Sequence, residues 1–176
     1  DRKLDKQESV HIVEDEEPFK FKDLGKVFGL KTFWIVALLC VLYYSAIFPF
    51  QKYATNMLES NLGLSTETAS SIFSLFPIGA MVITPFLGLY LDKKGKGATM
   101  LILGSILMIV CHGIFALYPF TTDKLSFGIA IAAIVLLGIS FSLVPAALWP
   151  SMPKVIDAKV LGSAYSATFF IQNIGL

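Results

Sequence analysis

Charged side chains are missing from five stretches of this chain: residues 32–51, 68–91, 97–122, 125–153 and 160–176, with lengths of 20, 24, 26, 29 and 17. A lysine or aspartate at the centre of a bilayer costs about 2.5 to 3.5 kcal/mol on insertion scales, and roughly 20 apolar residues reach across the hydrocarbon. The pattern predicts membrane-spanning α-helices at about 33–53, 66–91, 97–119 and 125–149, and a truncated one at 160–176. The chain thus reads as an all-α polytopic membrane protein. Ahead of the first span, Phe21, Leu24 and Phe28 recur on one helical face while Lys20, Lys22 and Lys26 lie largely elsewhere. That predicts a short amphipathic helix over 19–31, lying at the membrane surface. Residues 1–18, with Arg2, Lys3, Lys6, Glu14–Glu17 and Pro18, read as a flexible polar linker.

The lysines add a direction. Placing residues 1–31 inside puts Lys20, Lys22, Lys26, Lys31, Lys93, Lys94, Lys96, Lys154 and Lys159 on the cytoplasmic side, against Lys52 and Lys124 outside. Nine against two is a positive-inside bias, so residues 1–31 and the 92–97 loop are expected to be cytoplasmic.

Composition sharpens the class and removes others. Of the 176 residues, 55% are hydrophobic and 15% charged, and the mean hydropathy is +0.71, too apolar for a soluble domain of this size. A net charge of +1 gives no argument for a nucleic-acid partner. Cys40 and Cys111 both fall in apolar runs without paired spacing and read as small buried hydrophobes. No nucleophile, base and orienter set and no phosphate loop is visible, and His11 is far from other ligands, so no enzyme activity, metal or cofactor is expected. The chain begins at Asp1 and stops inside an apolar run, which reads as a piece of a longer protein without a visible signal peptide.

Several residues inside the spans have two readings each. Tyr43 and Tyr44 sit near mid-depth of the first span, ahead of Pro49. Pro77 and Pro85 interrupt the second, which Ser65 or Thr66 can cap; they mark a gating helix or are simply tolerated. His112 is a candidate proton site or a histidine satisfied near the outer end of its span. Trp149 stands among Pro145, Pro150 and Pro153, as an interfacial anchor or as a gate and substrate wall. Gln172 and Asn173 are expensive in lipid and should face a partner helix or a wet cavity.

Between the second and third spans runs Gly88-Leu-Tyr-Leu-Asp92-Lys93-Lys94-Gly95-Lys96-Gly97. Asp92 lies at a helix C-terminus, where the macrodipole disfavours a carboxylate, and Gly95 permits a tight reversal. A solvated loop marking the cytoplasmic side explains these residues. The same spacing, G-x-x-x-D-x-x-G-K, resembles the signature loop of the major facilitator superfamily. Further blocks extend the likeness over residues 33–176: Tyr43-Tyr44 through Phe50, Leu137 through Leu143 leading into Ala147-Leu148-Trp149-Pro150, and Leu161 through Tyr165 ending in Ile171-Gln172-Asn173. Together they resemble the branch of that superfamily that carries dipeptides across the lysosomal membrane, with its bacterial relatives.

The resemblance implies a major facilitator fold, of which this chain would hold helices seven to eleven of twelve, with residues 1–31 linking the two halves. It implies a conformational latch of Gly88, Asp92, Lys93, Gly95 and Lys96, in which Asp92 meets a helix N-terminus of the N-terminal six-helix half of the same chain. Gly97 departs from the family's second basic residue. The implied activity is secondary transport of small solutes, dipeptides among them, by rocker-switch alternating access, with Tyr43, Tyr44, Trp149, Gln172 and Asn173 as substrate-cavity candidates. Partners would be a small-molecule substrate, the other half and the lipid bilayer. Carriage of another small polar solute, drug export, or a non-transporting membrane scaffold are the alternatives. The short loops favour a bacterial cytoplasmic membrane over a lysosomal one.

Overall fold

The computed structural model describes residues 21–175, and every regular element among them is helical. The polar linker at 1–18 and the first residues of the amphipathic segment lie outside the described residues. In chain order the helices are α1 (Phe21–Phe28), α2 (Lys31–Leu62), α3 (Thr66–Phe73), α4 (Leu75–Lys94), α5 (Gly97–Leu117), α6 (Lys124–Leu148), α7 (Met152–Val155) and α8 (Leu161–Ile174). Short 3₁₀ turns at Trp149–Ser151 and Ala158–Val160 flank α7. Among the described residues four stretches are long and apolar enough to cross a membrane: Lys31–Leu62, Thr66–Lys94, Gly97–Leu117 and Lys124–Val155.

The helix α2 continues past the last charge-free residue and past the predicted end of the span near residue 53, running on through Asn56 to Leu62. Ala54, Leu58 and Leu62 are buried at four-residue intervals, which gives that extension one packed face. A helix leaving the hydrocarbon is free to carry Lys52 and Glu59, so charge marks the membrane boundary but not the end of the helix. The reversal occupies Gly63–Ser65, where Gly63 has φ +63°, a conformation that a side chain rarely adopts. Ser65, rather than Thr66, caps α3 by accepting the Thr68 N–H at 3.3 Å.

Pro77 explains why α3 and α4 are separate. It lacks the N–H that the Phe73 carbonyl would accept, and the break falls at Ser74. Pro85 and Pro145, by contrast, lie inside continuous helices.

The chain forms two compact units, one from residues up to Tyr44 together with those from Ser151 on, the other from Ser45–Pro150. In the Ser45–Pro150 unit α6 is the centre, packed against both α4 and α5. Small residues make the approach close. A Cβ on Gly104 would lie 2.5 Å from Val144 Cγ2, and one on Gly138 would lie 3.0 Å from the Phe76 carbonyl oxygen. The Ser140 hydroxyl donates to the Gly104 carbonyl at 2.7 Å across the same α5–α6 seam. The far side of α5 exposes Ile102, Ile106 and Ile109, an apolar face suited to lipid.

In the other unit α1 packs against α8 and the 3₁₀ turn before it. The inward residues of α1 are Val27 and Asp23, whose carboxylate accepts from Lys26 Nζ at 2.9 Å. Phe28, which the sequence pattern places on the apolar face with Leu24, stays 42% exposed and stacks on Trp34. The indole N–H of Trp34 donates to the Phe28 carbonyl at 2.8 Å, so the bend between α1 and α2 is fixed by its own aromatics. Local periodicity identifies the candidate faces of so short a helix, but the neighbour decides which one turns inward.

Candidate functional site

The helix α4 ends at Lys94 because Gly95 adopts a left-handed conformation, φ 66° and ψ 15°, and returns its N–H to the Leu91 carbonyl at 2.7 Å. Lys93 and Lys94 occupy the last turn, where the negative end of the macrodipole favours them. Asp92 sits in the same turn, exposed, and among the described residues it makes no ion pair or hydrogen bond. Lys96 is also exposed. A Cβ on Gly88 would meet nothing within 4 Å, so the described neighbours do not require a glycine there.

At 3.6 residues per turn, Met81, Thr84, Pro85, Gly88 and Asp92 fall on one face of α4. The upper part of that face forms one wall of a groove of about 530 Å³ whose other wall is α6. Met81, Thr84 and Pro85 line it from α4, and Phe141, Ser142 and Pro145 from α6. The Thr84 hydroxyl donates to the Ala80 carbonyl at 2.7 Å. The Ser142 hydroxyl lies 2.9 Å from the Gly138 carbonyl and 3.4 Å from that of Ala80. No lining residue is charged. The sequence pattern marks Pro77 and Pro85 as interruptions of the second span and Pro145 as a neighbour of Trp149; that Pro85 and Pro145 line opposite walls of one groove is decided by tertiary packing.

The remaining candidates divide between the two units. In the Ser45–Pro150 unit, His112 sits between backbone carbonyls, with Nδ1 at 2.9 Å from Met108 O and Nε2 at 3.3 Å from Ala46 O. Its ring packs on Phe50 at 5.1 Å. Trp149 is half-buried at the 3₁₀ turn that ends α6. In the other unit, Tyr43 and Tyr44 are buried and meet edge to face at 5.5 Å. Gln172 is buried and its Oε1 accepts the Cys40 thiol at 3.1 Å, joining α8 to α2 one turn before the tyrosines. Asn173 is exposed and turns back on its own helix, donating to the Phe169 carbonyl at 2.7 Å. Of the two amides, then, Gln172 bonds a partner helix and, among the described residues, Asn173 does not. Cys40 was missed as a partner, since nothing in its local sequence marks it. Among the described residues no group of three or more His, Cys, Asp or Glu is placed to hold a metal ion.

The sequence matches the Major Facilitator Superfamily over residues 2–176. The chain belongs to that superfamily. As a facilitator-family chain it is an integral, multi-pass, all-α membrane protein, and the four long apolar helices and lipid-suited faces agree with that. Among curated proteins it is similar to the lysosomal dipeptide transporter MFSD1 of Bos taurus, at 32% identity over 165 residues, covering 92% of this chain and 34% of the relative. The protein of the same name from Homo sapiens is 31% identical over 165 residues with the same coverage, and that from Danio rerio 31% over 166. The facilitator chain therefore spans about a third of the length of the curated relatives it matches. No solved structure matches it.

Proposed function

We propose that this chain is the second-half portion, helices seven to eleven of twelve, of a secondary carrier that moves small solutes, dipeptides among them, by rocker-switch alternating access. One observation carries the reading: the signature carboxylate Asp92 lies exposed, without an ion pair or hydrogen bond among the described residues, on the helix face that also walls the α4–α6 groove. A latch needs a charge that is unsatisfied within its own half, so that the other half supplies the partner in one state and withdraws it in the next. Residues 1–31 and the 92–97 loop lie on the cytoplasmic side in this reading, on the strength of the lysine distribution. Asp92, with Gly88, Lys93, Gly95 and Lys96 shaping its turn, would then meet a helix N-terminus of the N-terminal half when the cytoplasmic side is closed.

Tyr43, Tyr44 and Trp149 supply aromatic walls in this reading. Gln172 holds the helix pair that carries the tyrosines, and Asn173 is free to meet solute. The names of the relatives support a dipeptide substrate and a lysosomal membrane, while the short loops support a bacterial one; membrane fractionation of the source cells separates these.

The test is uptake by the full-length protein in proteoliposomes, with labelled dipeptides set against single amino acids and sugars. Dipeptide-specific flux that falls on Trp149→Ala, together with a shifted inward/outward accessibility in Asp92→Ala, is the expected result. A folded protein that moves none of these solutes would instead be a scaffold, and dipeptide flux and accessibility unchanged by Asp92→Ala would remove the latch.

A further inference from the structure

The groove between α4 and α6 has walls that accept hydrogen bonds and offer none. Pro85 has no N–H for the carbonyl of Met81, four residues earlier, and Pro145 has none for that of Phe141. In each pair both residues line the groove, so the carbonyl that points from one toward the other lies on the groove face of its helix. One such oxygen stands on each wall. The two hydroxyls do not alter the balance. Thr84 directs its proton to the Ala80 carbonyl and Ser142 directs its own to the Gly138 carbonyl, so both present lone pairs to the groove.

In a membrane-spanning region a backbone carbonyl without a donor is costly, and such groups are tolerated where they line a cavity that brings a donor to them. Water can do this, but so can a cation, and carbonyls of interrupted membrane helices coordinate cations in this way. An anion would find no donor here. A bare metal ion would leave most of about 530 Å³ unfilled, whereas that volume suits a small organic solute. Met81, Phe141 and the two proline rings would contact its hydrocarbon part.

We infer that the α4–α6 groove binds the ammonium end of an organic solute through the carbonyl oxygens of Met81 and Phe141, which Pro85 and Pro145 leave without helical donors. The inference rests on the carrier reading for its substrate, a solute with a free amino group such as a dipeptide. It assigns that group to this half, where no charged side chain lines the groove.

The experiment is a binding titration on the purified full-length protein, read by thermal shift, so that it needs no transport. The probes are a dipeptide amide, which keeps the ammonium and lacks a carboxylate, its N-acetylated form, and sodium chloride. Pro145→Ala and Pro85→Ala each restore one N–H to one wall, and the helix gains rather than loses a hydrogen bond. Each is expected to weaken the dipeptide amide about tenfold while leaving the N-acetylated form within about twofold, the scale of one charge-assisted hydrogen bond. Met81→Leu, which keeps the carbonyl, should retain the preference for the free amine.

Equal weakening of both probes in the proline variants would make the groove a matter of helix shape and overturn the inference. So would an unchanged preference in both variants. Stabilisation by sodium alone that disappears in Pro145→Ala would assign the oxygens to an inorganic cation, which also overturns it. A preference that behaves as expected in a protein that transports nothing would sink the carrier reading and leave the site standing.

Discussion

The ring of His112 bridges two helices through backbone oxygens, with Nε2 3.3 Å from the carbonyl of Ala46 on α2 and Nδ1 2.9 Å from that of Met108 on α5. Phe50 packs at a tilt against the same ring at 5.1 Å, and Phe115 against Phe50 at 5.3 Å, so the histidine belongs to a packed aromatic cluster. A neutral imidazole has one N–H, and its tautomer selects which carbonyl receives it.

His112→Phe keeps the ring contact with Phe50 but removes both nitrogens. The expected loss is about 1 kcal/mol, one hydrogen bond's worth, seen as a lower thermal midpoint of the full-length protein. Because the ring's partners are backbone carbonyls and aromatic rings rather than a titratable side chain, the response of solute flux to a proton gradient should be the same in the variant as in the wild type. A response that vanishes would make His112 a proton-coupling residue.

The α5–α6 seam should be intolerant at Gly104. A methyl group there would meet Val144 Cγ2 at 2.5 Å and Leu143 Cβ at 3.1 Å, so the two helices must separate or Val144 must leave a stiff rotamer. Gly104→Ala is expected to cost about 1 to 3 kcal/mol, the range for overpacking. Adding Val144→Ala removes the shortest of these contacts and should recover part of the loss, since Leu143 Cβ at 3.1 Å and the Ser140 carbonyl oxygen at 3.3 Å remain. At Gly138 the obstacle is the Phe76 carbonyl oxygen at 3.0 Å, which is backbone and cannot be trimmed by a second substitution. Thermal denaturation in detergent of the single and double variants measures both.

Gly95 holds a left-handed conformation that an L-residue adopts at a cost of roughly 1 to 2 kcal/mol. Gly95→Ala should therefore lower stability by about that amount, and Gly95→Asn by less, since asparagine tolerates this region better. As a Cβ at Gly95 would meet nothing within 4 Å, the difference between the two variants isolates backbone strain from crowding.

The start of α6 should be sensitive to acid. Asp123 caps it, and hydrogen bonds from Ser126, through its side chain and then its N–H at 2.9 Å, and from the Thr121 hydroxyl at 3.0 Å hold its carboxyl below the ordinary 3.8. A lowered value means that the cap contributes fully above pH 3.8 and loses its contribution as pH falls through the lower folded-state value. Asp123→Ala should lower the thermal midpoint at neutral pH, and the gap to the wild type should close in strong acid. A gap that persists unchanged there would show that the charge is not what the cap uses.

By itself the sequence determined the class of this protein and its local punctuation. A charge in hydrocarbon costs so much that charge-free runs announce a polytopic helical membrane protein, whatever the partners of each helix. The turn at Gly95 depends on residues within four positions of one another, so it too was readable, and the cap of the second span was narrowed to Ser65 or Thr66. Tertiary structure alone decided which side of α1 packs inward, that Gln172 pairs with Cys40 across 132 residues, and that Pro85 and Pro145 meet across one groove. Each depends on how a helix is rotated and how closely its neighbour approaches. Those are set by small residues such as Gly104 and Gly138, whose effect is felt only once the facing helix is in place.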